Sequence, residues 1–155
     1  DASKWRTVNA LGVISSLLGE NEEAELYFDM ASTLSKQNPS ILNNIGLSVG
    51  LSGDTQKGLA ILNKALNELN SSHKMKERLE HNIALIYGIS GEMDKAQAIL
   101  KHYLNEASVY NNLAFYSKLA NDKQLAQTYL SKSLSSSPVH YEKAWKNLQQ
   151  LKGTP

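Results

Sequence analysis

The sequence predicts an all-α fold in which about four helical hairpins stack side by side and one further helix closes the end. Three observations predict it. A twelve-residue phrase recurs, as NNIGLSVGLSGD from Asn43, HNIALIYGISGE from His81 and NNLAFYSKLAND from Asn111. Aligning the turn residue of each phrase brings in an earlier copy, LGVISSLLGE, so that Gly19, Gly53, Gly91 and Asn121 stand 34, 38 and 30 residues apart. Within the copies the apolar residues follow helical rather than alternating spacing, as in Leu42, Ile45 and Val49 or Ile83, Ile86 and Tyr87.

Each element follows from local chemistry. The first helix of every hairpin stops at Gly19, Gly53 or Gly91, because glycine takes the left-handed conformation past a helix end without steric cost. Asn121, the next-best residue there, ends the fourth. The polar residues after the turns, as in Gly53-Asp54, Gly91-Glu92 and Asn121-Asp122, are expected to accept hydrogen bonds from the next helix start and to balance its dipole. The second helices are predicted at Ala24 to Leu34, Leu59 to Leu69, Lys95 to Leu104 and Leu125 to Leu134. Pro39 and Pro138 mark new helix starts, since proline cannot continue an old helix. The units so defined run over about residues 5–38, 39–72, 77–106 and 107–138. A tail helix over 139–151, carrying Tyr141, Ala144, Trp145, Leu148 and Leu151, is expected to cap the last one.

Small residues flank every turn. Gly12, Gly46, Ala84 and Ala114 precede it, and Ala24, Gly58, Ala96 and Ala126 follow it, each with Phe28, Leu62, Leu100 or Leu130 four residues later. Such spacing predicts two arms in close contact. A lone hairpin of this length cannot bury its apolar face, whereas stacked hairpins share one continuous core.

Bulk composition excludes several function classes. A chain of 155 residues holds one domain or a short repeat stack. Sixteen Lys and Arg against fifteen Asp and Glu leave a net charge of +1, too little to recruit nucleic acid or an anionic membrane. There is no cysteine for a disulfide, a thiolate metal site or a cysteine nucleophile. No apolar run approaches the roughly 18 residues of a bilayer span. The amino end, DASKW, is not Met, so an upstream signal, a lipid-bearing residue or further repeats are expected to have been removed.

The period near 34, the small residues around the turn and the Pro in SSSP resemble tetratricopeptide repeats over about residues 5–138. The resemblance implies a right-handed superhelix whose first helices line a concave groove that binds peptides or proteins. Trp is missing at its usual place in the first helices, and Gly58 replaces an expected Ala. A narrower match lies in ILNNIGLSVGLSGD, then KMKERLEHNIALIYGISGEMDKA after a lengthened connection, then VYNNLAFYSKLAND after a shortened second helix. With Arg78, the run Asn82-Ile83-Ala84-Leu85 and the 38-then-30 irregularity, these are similar to the TadD family of tight-adherence (Flp) pilus assembly. That resemblance implies an outer-membrane lipoprotein domain facing the periplasm and assisting a secretin subunit or another pilus assembly protein. Membrane contact would come only through a lipid anchor absent from this chain; the alternative is a cytoplasmic tetratricopeptide adaptor.

The candidate partner surface is a second apolar stripe on the first helices. Leu47 lies two residues beyond Ile45, about 200° round the helix, and so faces away from the Leu42, Ile45 and Val49 stripe. Its equivalents are Val13, Leu85 and Phe115, and one turn on come Leu17, Leu51, Ile89 and Leu119. The amides of Asn44, Asn82 and Asn112 stand between them, able to meet an extended backbone, and Arg78 and His81 offer contacts to a carboxylate or carbonyl. Leu51, Leu85, Ile89 and Phe115 are expected against a bound helix or peptide. Two other readings stay open: the stripe packs repeat against repeat while the Asn series joins neighbouring first helices, or a segment of the same protein fills the groove.

No residue set predicts catalysis, a cofactor or a metal. His73, Glu77 and His81 share a helix face at successive four-residue steps, but nothing else converges on them, and a solvated polar face explains them. Gly46, Gly50 and Gly53 lack the Lys-Ser/Thr of a phosphate loop. The serines have no base and acid placed beside them, so a small all-helical enzyme is the weakest alternative. Asn70-Ser71-Ser72 matches a glycosylation acceptor, to which no role is assigned.

Overall fold

The structure is a computed structural model describing residues 3–35, 38–69, 73–137 and 142–153, without the side chain of His73. Among the described residues there are nine α-helices and no strand: α1 Lys4–Leu18, α2 Asn21–Leu34, α3 Pro39–Leu51, α4 Thr55–Asn67, α5 His73–Ile89, α6 Met93–Leu100, α7 Glu106–Leu119, α8 Lys123–Ser135 and α9 Glu142–Gly153. None is long and apolar enough to cross a membrane. The chain divides into two compact units, Asp1–Ile86 and Tyr87–Pro155, with the boundary inside α5.

All four turns are built alike. Gly19, Gly53, Gly91 and Asn121 have φ of 79°, 110°, 89° and 61°. That left-handed residue lets the next amide reach back to a carbonyl of the finished helix. Glu20 N donates to Ser15 O at 2.9 Å, Asp54 N to Val49 O at 3.2 Å, Glu92 N to Tyr87 O at 2.8 Å and Asp122 N to Ser117 O at 2.9 Å. Asp54 and Asp122 then accept from Lys57 N and Leu125 N through their carboxylates, as expected. Glu92 does not, and neither does Glu20. The extra methylene carries a Glu carboxylate past the orphan amides, and Glu92 instead pairs with Lys95, whose pKa is raised first by that hydrogen bond.

In the first unit the small residues stand where the arms touch. Ala24 and Phe28 are buried, and a methyl on Gly12 would meet the Phe28 ring at 2.7 Å. Between α3 and α4 the approach is closer still, backbone to backbone at Gly46 and Gly58. Asn38 caps α3 by accepting from Ser40 N, and Pro39 sits at its first turn as expected.

In the second unit α7 and α8 form the hairpin, and α9 closes it. Ala144, Leu148 and Leu151 join Ala114, Ala126 and Leu130 in one buried cluster. Ser133 Oγ ties α8 to α7 through Ala107 O at 2.6 Å. Tyr116 lies over Gly88, and burial pushes its hydroxyl up to about 12. Two further expectations need correction. The second helix of the third hairpin ends at Leu100, not Leu104, because His102 N and Tyr103 N bond three residues back in tightening turns before Asn105 caps α7. Trp145, read as part of the capping face, is 44% exposed, because Ala144, Leu148 and Leu151 already fill the inner face of α9. The expectations for Pro138, Val139 and Tyr141 fall outside the described residues, as do those for Asn70-Ser71-Ser72 and the imidazole of His73.

Candidate partner-binding surface

Within each unit, side-chain amide bonds between helices decide which side chains remain for a partner. In the first unit Asn82 Nδ2 donates to Asn43 Oδ1 at 2.7 Å, Asn43 Nδ2 to Asn44 Oδ1 at 3.2 Å and Asn44 Nδ2 to Asn9 Oδ1 at 3.2 Å. This amide chain links α5, α3 and α1. The reading left open for the Asn series, that it joins neighbouring first helices, therefore describes Asn44 and Asn82. An amide has two donor hydrogens and two lone pairs, so one such bond does not exhaust it. In the second unit Asn112 Nδ2 turns back to Ser108 O of its own helix, and the interhelical bond runs from Asn147 Nδ2 of α9 to Asn111 Oδ1 at 2.9 Å.

The apolar stripe is not buried. Within the first unit Leu17 is 78% and Leu51 47% exposed, while Val13, Leu47 and Leu85 are half-buried. Val13, Leu17, Asn44, Leu47 and Leu51 come together around a shallow depression of about 70 Å³ on α1 and α3. Arg78 is exposed on α5, and half-buried His81 places Nδ1 2.8 Å from Glu77 O. Within the second unit Phe115 is 50% and Leu119 47% exposed, with Ile89 half-buried. Phe115 borders a second depression, of about 170 Å³, shared with Lys118, Asn147 and Gln150. Sequence reasoning missed the last two, having read α9 for its apolar face alone. Among the described residues no group of three His, Asp or Glu is placed to hold a metal.

Helical hairpins turning at a left-handed residue, with small residues at the α1–α2, α3–α4 and α7–α8 crossings and a closing helix, define a tetratricopeptide-type repeat fold. Solved structures of such repeats are similar to it. One is PilW, a widely conserved type IV pilus biogenesis factor, at 21% identity and a TM-score of 0.65, covering 99% of this chain and 72% of that one. Another belongs to the APC/C hetero-tetramer Cut9-Hcn1, at 23% identity and a TM-score of 0.61. There the match covers 95% of this chain but only 29% of the other. No protein-family model matches the sequence, and no curated protein does.

Proposed function

We propose that the chain is a non-enzymatic protein-interaction scaffold that holds partner segments against the exposed apolar residues of its first helices. The observation that carries this is the exposure of Leu17, Leu51 and Leu119 at one repeat position in three hairpins. Covering a leucine side chain fully is worth about 1.5–3 kcal/mol, so such residues left to water within each unit favour an apolar or amphipathic segment laid against them. Asn44, Asn82 and Asn112 supply spare amide capacity beside it, and Arg78 and His81 a polar margin.

The setting we propose is pilus assembly. The fold likeness to PilW and the sequence resemblance to the TadD family, a tight-adherence (Flp) protein group, both support it. The partner is then a secretin subunit or another pilus assembly protein, and the domain faces the periplasm from a lipid anchor in the outer membrane. Affinity capture from the native envelope tests the reading with wild type and with Leu51→Asp plus Leu119→Asp. Wild type is expected to retain secretin or pilus assembly components, and the variant to lose them with unchanged helical circular dichroism. Equal capture by both would remove the surface from the proposal, and wild-type capture without pilus components would remove the setting.

A further inference from the structure

One register position accounts for a cavity in the second unit. Three residues before the turns stand Ser16, Gly50, Gly88 and Lys118. The first three are small, and each is met by a residue of the next first helix. Ser48 Oγ lies 2.7 Å from Ser16 Oγ, and a methyl added to Gly50 or Gly88 would overlap Ile86 or Tyr116. A lysine cannot be covered in this way without stripping water from its ammonium, so its stem packs and its head stays out. Lys118 is exposed, and α9 packs chiefly on α8. What is left between the α7–α8 hairpin and α9 is the depression of about 170 Å³ that Phe115 borders.

The cavity has an apolar floor and a polar rim. Ala114, Ala126, Leu130 and Leu151 are buried beneath it, whereas Lys118 and Gln150 are exposed around it. Asn147 completes the rim, and its bond to Asn111 uses one of two amide hydrogens. An apolar cavity of about 150 Å³ takes a benzene ring, so this space suits one leucine, methionine or phenylalanine side chain.

Charge identifies what stands beside that side chain. From Tyr87 onward the chain has eight Lys, no Arg and five Asp or Glu. None of the five carboxylates lines the cavity, and each is engaged elsewhere. Glu92 pairs with Lys95 and Glu142 with Lys146, Asp122 caps α8, Glu106 accepts from the Tyr110 hydroxyl and Asp94 acts electrostatically on Tyr129. Lys118 has no ion pair among the described residues. Taking the chain as the interaction scaffold proposed above, we propose that this cavity seats one large apolar side chain of an acidic partner segment, whose flanking carboxylate meets Lys118 and whose backbone meets the Asn147 amide.

Three end-blocked peptides test this in amide-resolved NMR titrations of the whole chain: Ser-Asp-Glu-Leu-Asp-Glu-Ser, a twin with Lys for every Asp and Glu, and a twin with Ala for Leu. The acidic leucine peptide is expected to shift the Phe115 and Lys118 amides and the Asn147 side chain saturably, and both twins to bind at least about tenfold more weakly. Lys118→Glu, at an exposed position, is expected to cost the acidic peptide about tenfold and to favour the lysine twin. Lys101→Glu, an equal change of charge outside the cavity, should leave affinity within about twofold. Equal binding of the acidic and lysine peptides, or equal losses in the two variants, would overturn the proposal by reducing recognition to net charge. Absence of shifts with all three peptides would remove the cavity as a site, and leave the scaffold reading to stand or fall on capture through Leu51 and Leu119. A dimer in sedimentation that Lys118→Glu dissociates would make the occupant a second copy. Nuclear Overhauser contacts from the Phe115 ring to another segment of the monomeric natural polypeptide would assign the cavity to the chain itself, and equally defeat the proposal.

Discussion

Gly58 departs from the alanine that the repeat pattern leads one to expect, and its surroundings give the reason. A methyl there would lie 2.7 Å from Gly46 O and equally close to the N and Cα of Gly50, all backbone atoms of α3. At Gly50 the colliding atoms are Cδ1 and Cγ1 of the buried Ile86, a side chain rather than a backbone. Glycine to alanine inside a helix gains about 1 kcal/mol of propensity, and overpacking costs about 1–3 kcal/mol or more. Where a buried side chain must move, overpacking outweighs the propensity gain; where a backbone must move, it does so by more. Gly58→Ala is therefore expected to lower unfolding stability by about 2 kcal/mol or more, and Gly50→Ala by about 1 kcal/mol. Urea titrations with an unchanged slope would check both, and a neutral Gly58→Ala would mean that α3 and α4 are free to separate.

At the scale of elements, helix ends were legible wherever one residue's chemistry decides them and illegible where several weak bonds compete. The four turns follow from Gly19, Gly53, Gly91 and Asn121 because the left-handed conformation excludes most residues. The end of α6 was misplaced because His102 and Tyr103 are neutral toward helix, and the choice between bonds three and four residues back rests on tertiary contacts that spacing does not record. The caps show the same contrast. Asp54 and Asp122 reach an amide and Glu20 does not, although all three are acidic residues directly after a turn. Asp54→Ala and Asp122→Ala are expected to cost about 1 kcal/mol each. Glu20→Ala is expected to stay within about 0.5 kcal/mol. Thermal melts of the three variants distinguish a true cap from mere acidity, and three equal losses would assign the effect to the helix dipole.

At the scale of the molecule, the period announced the architecture, but the division of labour between joining and binding residues was only half visible. Leu17, Leu51, Phe115 and Leu119 could be read as a stripe from their spacing. That Asn44 and Asn82 spend hydrogen bonds on neighbouring helices depends on rotamers and register between hairpins, which one strand of letters does not encode. The part played by α9 is likewise a matter of packing. Its Leu148 is 7% exposed and lies in the cluster of Ala114, Ala126 and Leu130, with Asn147 bonded to Asn111. In a repeat stack each element is stabilised mainly by its immediate neighbours, so loss of an end contact acts locally first. Leu148→Ala removes buried methyl groups worth about 2–4 kcal/mol. Amides of α7 and α8 that exchange through opening of this unit should then exchange about thirtyfold faster or more, at 1.4 kcal/mol per decade. Amides of α1 to α4, which belong to the other compact unit, should keep their rates. Residue-resolved hydrogen exchange reads both sets in one sample, and equal acceleration throughout would show that the chain opens as a single cooperative block, with α9 holding all of it.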